Sequence, residues 1–271
     1  MLSLPNTKSS SSLSPARLIL DLLDADPEGM SRTRRLLAAG SVFRFSSNQM
    51  RVALSRLASE GLLVNKARGQ YALSDTAEQL RTEIQRWQHI ESQRQPWQND
   101  WATILCGNLA AESSAQFRRQ SRALSLRGLR RWRPGVWVRP DNLKGGLPRL
   151  ITDLQSLGLD AIQGSFLVNN ADADTERELL SLWDTESLNR EYHTRLADIR
   201  AATRRLVAPR PGLLIETMEL GSDTIRFLLK DPLLPDGLTD SQCRHALIES
   251  MHEYDRLGRE LWQQFIDTLE S

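Results

Sequence analysis

Asn48, Arg51 and Ser55 are separated by three and four residues, so on a helix they share one side, with Arg56 at its edge. Short polar and guanidinium side chains in that arrangement suit hydrogen bonds to the base edges of a nucleic acid groove. Ser47 lies beside them at the start of the same element. Arg32, Arg34, Arg35, Lys66 and Arg68 flank this face and have the chemistry of phosphate contacts. From Met30 to Gln70 there are eight Lys/Arg residues against one acid, Glu60. Such a basic stripe is the electrostatic footprint of phosphate binding. The competing reading is a solvated face used for protein contact.

A second basic stretch runs from Glu112 to Pro140, with eight arginines against one acid. Arg118, Arg122, Arg133 and Arg139 offer forked donors for phosphate, and Trp132 and Trp137 offer rings for stacking. Together they are candidates for binding an anionic effector that carries an aromatic or adenine ring. The competing reading is that the tryptophans are core anchors and the arginines meet DNA phosphates or the acidic C-terminal region.

Other chemistry finds little support. The chain has two cysteines, Cys106 and Cys243, and four histidines, His89, His193, His245 and His252. This gives no disulfide framework and no zinc-ligand spacing, and it fits a reducing cytoplasm. Cys243, His245 and His252 lie within ten residues, but they read as scattered helix-surface positions. There is no GxSxG, no phosphate-binding Gly-Lys-Ser/Thr loop and no Gly-rich dinucleotide turn. The apolar run Trp101–Leu109 ends without a carboxylate before Glu112, which argues against a metal-dependent nuclease. No catalytic residue, cofactor or metal is expected. No apolar run is long enough for a membrane span, and the Ser-rich start is no secretory signal.

The elements that must position these residues can be read in order. Ser14-Pro15 opens a helix with an apolar stripe at Leu18, Ile19, Leu22 and Leu23. Ser31 is placed to cap a second helix, with Gly40 as its left-handed stop. Ser46-Ser47-Asn48-Gln49 is a capping box for a third helix, which Gly61 closes. Two apolar runs around Ala67-Arg68-Gly69 then read as a hairpin, and Ser74 starts a further helix. This is the order of a winged helix-turn-helix, in which the capped helix enters the major groove. From Trp101 to Val168 the pattern reads strand, helix, strand, strand, helix, strand, a ferredoxin-like unit. From Ala171 the pattern is helical, broken at Pro209–Gly212 and ending in a long helix.

The pieces Ser14–Leu20, Arg51–Leu57, Arg133–Pro140, Leu182-Trp183-Asp184 with Tyr192, and Lys230–Pro235 follow one another in a characteristic order and separation. In them the chain resembles the PaaX family of bacterial repressors of phenylacetic acid degradation. The resemblance implies a homodimeric repressor that binds a double-stranded operator and releases it on binding an acyl-CoA such as phenylacetyl-CoA. Two departures stand out: the bulky turn Val42-Phe43-Arg44-Phe45, and Ser241-Gln242-Cys243 where the family carries Trp-Pro-Gly.

The expected class is therefore α+β: a tail at 1–13, a winged helix at 14–82, a linker helix at 83–97, a ferredoxin-like region at 98–170 and a helical region at 171–271. The net charge of +1 hides a cancellation. Residues 1–170 carry 23 basic and 14 acidic side chains, and residues 171–271 carry 12 and 20. A near-neutral total thus does not argue against a nucleic acid partner.

Overall fold

The computed structural model describes residues 13–26, 29–106, 115–159 and 162–268. The expected tail, apart from Leu13, lies outside them, as do the end of the Trp101–Leu109 run and Glu112. Among the described residues, ten α-helices and two small antiparallel sheets make an α+β protein. The chain forms two compact units. One runs to Gln85 and takes in Asp198–Thr224 and the residues from Ser250 onward; the other is Arg86–Ala197 with Ile225–Glu249. The helical segment 171–271, expected as a region of its own, is thus shared between both. The reason is its apolar residues: Leu214, Met218, Leu261 and Trp262 complete one core, and Leu179, Trp183 and Leu234 complete another.

The first unit contains α1 (Pro15–Ala25), β1 (Met30–Arg32), α2 (Thr33–Val42), α3 (Ser47–Ser59), β2 (Leu63–Ala67), β3 (Gln70–Leu73) and α4 (Asp75–Gln85). Ser14 accepts from the Arg17 N–H, and Pro15 stands at the first helical position, where its missing N–H costs nothing. Leu18, Ile19, Leu22 and Leu23 of α1 pack with Leu36 and Ala39 of α2 and Met50, Leu54 and Leu57 of α3. Parts of α9 (Pro211–Leu229) and α10 (Ser241–Thr268) close this core from the C-terminal side of the sequence. Pro211, expected as part of a break, instead opens α9.

Two local expectations are corrected here. Ser31 does not cap α2; it lies in β1 opposite Tyr71, and the cap position falls to Arg32, which makes no side-chain cap bond. Gly40 is not the left-handed stop; it sits inside α2, where a Cβ would come within 2.5 Å of the Met50 side chain. The stop is Arg44, with φ of 62°, and the Phe45 N–H returns to the Gly40 carbonyl at 2.9 Å. The bulk of this turn is explained by burial. Phe43 is stacked on Trp262 at 5.8 Å and set edge-on to Phe265 at 5.7 Å.

The second unit is built on a four-stranded sheet in the order β5-β6-β4-β7. Its strands are β4 (Trp101–Cys106), β5 (Arg130–Arg133), β6 (Val136–Pro140) and β7 (Ile162–Val168), with α5 (Ala115–Leu126) and α6 (Gly146–Ser156) between them in the chain. Strand alternation divides the side chains between two faces. Ala102, Ile104, Cys106 and Trp137 pack with Leu124, Leu150 and Leu154 of α5 and α6. Trp101 and Val138 pack with Leu179 of α7 (Ala173–Leu180), with Trp183 and with Leu234. The helix α8 (Thr185–Thr203) contributes Tyr192 to this unit.

Candidate nucleic-acid interface

The candidate face is that of α3. Its capping box is formed: the Gln49 N–H donates to Ser46 Oγ at 3.2 Å, and the Ser46 N–H donates to Gln49 Oε1 at 2.8 Å. At the other end, Glu60 and Gly61 close the helix, Gly61 with φ of 73°, and the Leu62 N–H bonds the Leu57 carbonyl at 2.9 Å. Met50, Ala53, Leu54 and Leu57 are buried, which turns the opposite side outward. Ser47, Asn48, Arg51, Ser55 and Arg56 are all exposed. Arg56 lies 3.4 Å from Glu60, an exposed pair of little weight.

Four of the five expected phosphate contacts accompany this face within the same unit. Arg32 on β1, Arg34 on α2, Lys66 on β2 and Arg68 in the hairpin turn are exposed. Gly69, with φ of 72°, makes that turn possible, and Thr33 fastens it by donating to the Gly69 carbonyl from both its N–H and its hydroxyl. Arg35 differs. Its side chain is only 17% exposed, and its guanidinium pairs with Asp26 at 3.0 Å. Arg35 therefore secures the α1–α2 connection, and it is withdrawn from the phosphate set. Arg44 is an exposed cation in the same unit that groove-contact reasoning left aside.

The second arginine stretch does not form one site. Arg139 is 3% exposed and donates to the carbonyls of Pro140, Arg127 and Pro232 and to Asn142 Oδ1. Its burial pulls its pKa down to about 10. Arg133 forms a two-pronged pair with Glu178 and lies over the Trp132 ring at 4.9 Å. That pairing holds the Arg133 charge above, and the Glu178 carboxyl below, their usual ranges. Trp137 is buried among the residues that face α5 and α6, whereas Trp132 packs with the cluster on the other face of the sheet. Two rings on opposite faces cannot sandwich one ligand. Arg118 and Arg122 remain exposed on α5. The expected effector cluster is thus not brought together: Arg139 and Trp137 are buried in the fold, Arg133 is paired with Glu178, and Arg118 and Arg122 stay out on α5.

What the arginines hold was not visible from local spacing. Residues Asp231–Pro235 form a buried loop with Leu233 at φ of 51°. Tyr192 donates to Asp231 Oδ2 at 2.6 Å, the Leu233 N–H donates to Asp231 Oδ1 at 2.7 Å, and Asn142 donates to the Leu233 carbonyl at 2.7 Å. Arg244, fully buried, pairs with Glu91 at 2.6 Å and donates to the Leu234 carbonyl. Burial works against the Arg244 charge, and Asp231, Tyr192 and Glu91 outweigh it, holding its pKa above the usual value. Burial also raises the Asp231 carboxyl and the Tyr192 hydroxyl. Gly128 completes the loop's seat: at φ of 75°, a Cβ there would come within 2.9 Å of Arg139 Nη1 and of the Pro232 carbonyl. The segments Arg133–Pro140, Trp183, Tyr192 and Lys230–Pro235 meet here. They were singled out in sequence without a structural reason, and this loop supplies one.

A cavity of about 260 Å³ in this unit is lined by Arg127, Arg139, Lys144 and Arg149 together with Asp141 and Asp153. Asp153 already faces Arg127 at 3.5 Å and Arg149 at 2.9 Å. The volume suits a small anion and falls below the roughly 300–1,000 Å³ of pockets that hold drug-sized molecules.

The histidines and cysteines sort differently from their order in sequence. His245 pairs with Glu249 at 3.2 Å and His252 is exposed, so neither joins Cys243. Instead His193, Asp240 and Cys243 offer ligand-type atoms within 4.8 Å of one another. The two ring nitrogens of His193 are divided, Nδ1 towards the Cys243 sulfur and Nε2 towards Asp240. That is a hydrogen-bonded relay, in contrast to three atoms converging on one ion. Sequence spacing could not reveal it, because His193 comes from α8, 50 residues away.

Among the described residues no helix is long and apolar enough to cross a membrane. Fold and site together define an α+β chain with an exposed basic helix face. No protein-family profile and no curated protein matches it. Among solved structures it is similar to an uncharacterized protein, Rv0674, from Mycobacterium tuberculosis, with a TM-score of 0.67 at 22% identity over 96% of this chain and 100% of that one. At that identity the likeness is one of fold.

Proposed function

We propose that the protein is a DNA-binding transcriptional regulator, a repressor that acts as a homodimer in the cytoplasm and has no enzymatic activity. The observation that carries this reading is the outer face of α3. It presents Asn48, Arg51, Ser55 and Arg56 from a doubly capped helix, with Lys66 and Arg68 on the adjoining hairpin. The order helix, helix, capped helix, hairpin supports a winged helix-turn-helix over residues 14–82, with α3 in the major groove. The strand order β5-β6-β4-β7 supports a ferredoxin-like middle region. Asn48, Arg51 and Ser55 read base edges; Arg32, Arg34, Lys66 and Arg68 hold phosphates; Arg56 does either.

The repressor role, and release by an acyl-CoA such as phenylacetyl-CoA, rest on the resemblance to the PaaX family. An effector of that class would need a site other than the cluster first expected, whose two rings lie on opposite faces of the sheet. Fluorescence anisotropy with a duplex from the gene's own upstream region tests the central reading. Affinity should exceed that for scrambled duplex and fall steeply between low and moderate salt. Equal, salt-insensitive binding to both duplexes would defeat it and leave a protein-contact scaffold. Calorimetric titration with phenylacetyl-CoA tests the effector separately: absence of both heat and operator release would remove that ligand alone.

A further inference from the structure

The chain's two cysteines are both buried and neither is in a disulfide, at 5% exposure for Cys106 and 7% for Cys243. Their surroundings differ. Cys106 ends β4 among the apolar side chains beneath α5 and α6, and burial pushes its thiol up to about 11. Cys243 is the third residue of α10, within the first turn, where the helix dipole favours negative charge. His193 Nδ1 lies 3.4 Å from its sulfur, and Nε2 of the same ring lies 3.0 Å from Asp240 Oδ2. The other Asp240 oxygen accepts the Cys243 N–H at 2.9 Å, and the Asp240 N–H is held by Asn189 Oδ1 at 2.8 Å. One carboxylate therefore caps α10 and orients the imidazole. A nucleophile within reach of a base, and that base fixed by a third group, is the geometry that activates a thiol.

We propose that Cys243, His193 and Asp240 form a reactive thiol site that is oxidised by a small hydroperoxide. His193 accepts the thiol proton and faces the resulting thiolate. The sulfur attacks one peroxide oxygen, an S–O bond forms and the O–O bond breaks. Sulfur loses two electrons and becomes a sulfenic acid, and the departing hydroxide or alkoxide takes the proton back from His193. Thiol plus hydroperoxide thus yields sulfenic acid plus water or alcohol. Burial limits access: the imidazole is 64% exposed and the cysteine beneath it only 7%, which favours small reagents such as a hydroperoxide over large ones. Cys243 is the attacking group; His193 and Asp240 position and protonate. The site is independent of the DNA-binding reading.

The full-length protein, treated with equimolar hydrogen peroxide at pH 7, trapped with dimedone and mapped by mass spectrometry, tests this. The adduct should form on Cys243 at least about tenfold over Cys106, which serves as an internal control. Alkylation by iodoacetamide against pH should show a lower midpoint for Cys243 than for Cys106, with His193 from α8 and Asp240 from the loop before α10 facing the sulfur. His193→Ala, at an exposed position, should slow Cys243 oxidation about tenfold and raise its midpoint. Asp240→Asn, which keeps an oxygen for the cap, should shift the same midpoint with the circular dichroism spectrum intact. Equal labelling of the two cysteines in the folded chain would overturn the proposal, as would a His193→Ala variant with unchanged rate and midpoint. Stoichiometric zinc retained by the wild type and lost in Cys243→Ala would also overturn it, making the cluster a metal site.

Discussion

Residues 30–70 and 112–140 each carry eight basic residues and one acid, yet the fold treats them in opposite ways. In the first stretch seven of the eight cations are exposed and only Arg35 turns inward. In the second, Arg118, Arg119 and Arg122 stay exposed on α5, while those that follow are drawn into contacts. Arg127 meets Asp153, Arg131 lies over the Phe117 ring, Arg133 meets Glu178 and Arg139 is enclosed. The difference comes from what surrounds each stretch. Around α3 the apolar residues use up the buried side and leave the cations nowhere to go but outward. Around β5 and β6, backbone carbonyls and carboxylates from distant segments supply inward acceptors. A basic run is therefore an interface only where the neighbouring fold offers no such acceptors.

The strongest way to break this comparison is Arg139→Met. It leaves the carbonyls of Arg127 and Pro232 without their buried donor and should cost about 3–5 kcal/mol of stability in chemical denaturation. A loss below 1 kcal/mol would mean that Arg139 is an idle cation. Next in size is Arg51→Ala, which should lose about 1–3 kcal/mol on the preferred duplex and little on scrambled DNA, with the melting temperature unchanged. Arg68→Ala should weaken both duplexes alike and reduce the salt slope by about one unit. Similar profiles for the two variants would erase the division between base and phosphate contacts. Arg35→Ala should behave unlike its neighbour Arg34→Ala, losing about 1–2 kcal/mol of stability through the Asp26 pair. Arg34→Ala should change only DNA affinity. Arg133→Ala should have the smallest effect, leaving the denaturation midpoint where it is, because its pair with Glu178 is solvent-exposed.

The sequence disclosed what depends on near neighbours. The capping box at Ser46–Gln49, the α3 stripe, the hairpin around Gly69 and the order of strands and helices from Trp101 to Val168 were all legible, because each rests on spacings of a few residues. Contacts that cross long stretches of chain were not. Ser31 looks like a cap because serine precedes a helical pattern, but pairing with Tyr71 claims it for a strand. Gly40 looks like a stop because it is glycine, but the requirement it meets is the closeness of Met50. Trp132 and Trp137 look like partners, but the bulged β5–β6 ladder assigns them to different faces. The buried carboxylate Asp231 and its partner Tyr192 could be marked only as pieces of a family resemblance, and Arg244 not at all, since nothing local says what a lone acid before proline will meet.

The stacking of Phe43 on Trp262 bears on how the molecule comes into being. The turn that aims α3 rests on the last helix of the chain, 219 residues later, and Leu261, Phe265 and Ile266 belong to the same core. A nascent chain that has released only its first 85 residues has the capped helix but not the surface against which its turn is set. The basic face is synthesised first, but the core behind its turn is complete only once α10 has been made. A premature stop before α10 would yield a fragment that keeps α1, α2 and α3 together and lacks the aromatic side of the core on which Phe43 rests.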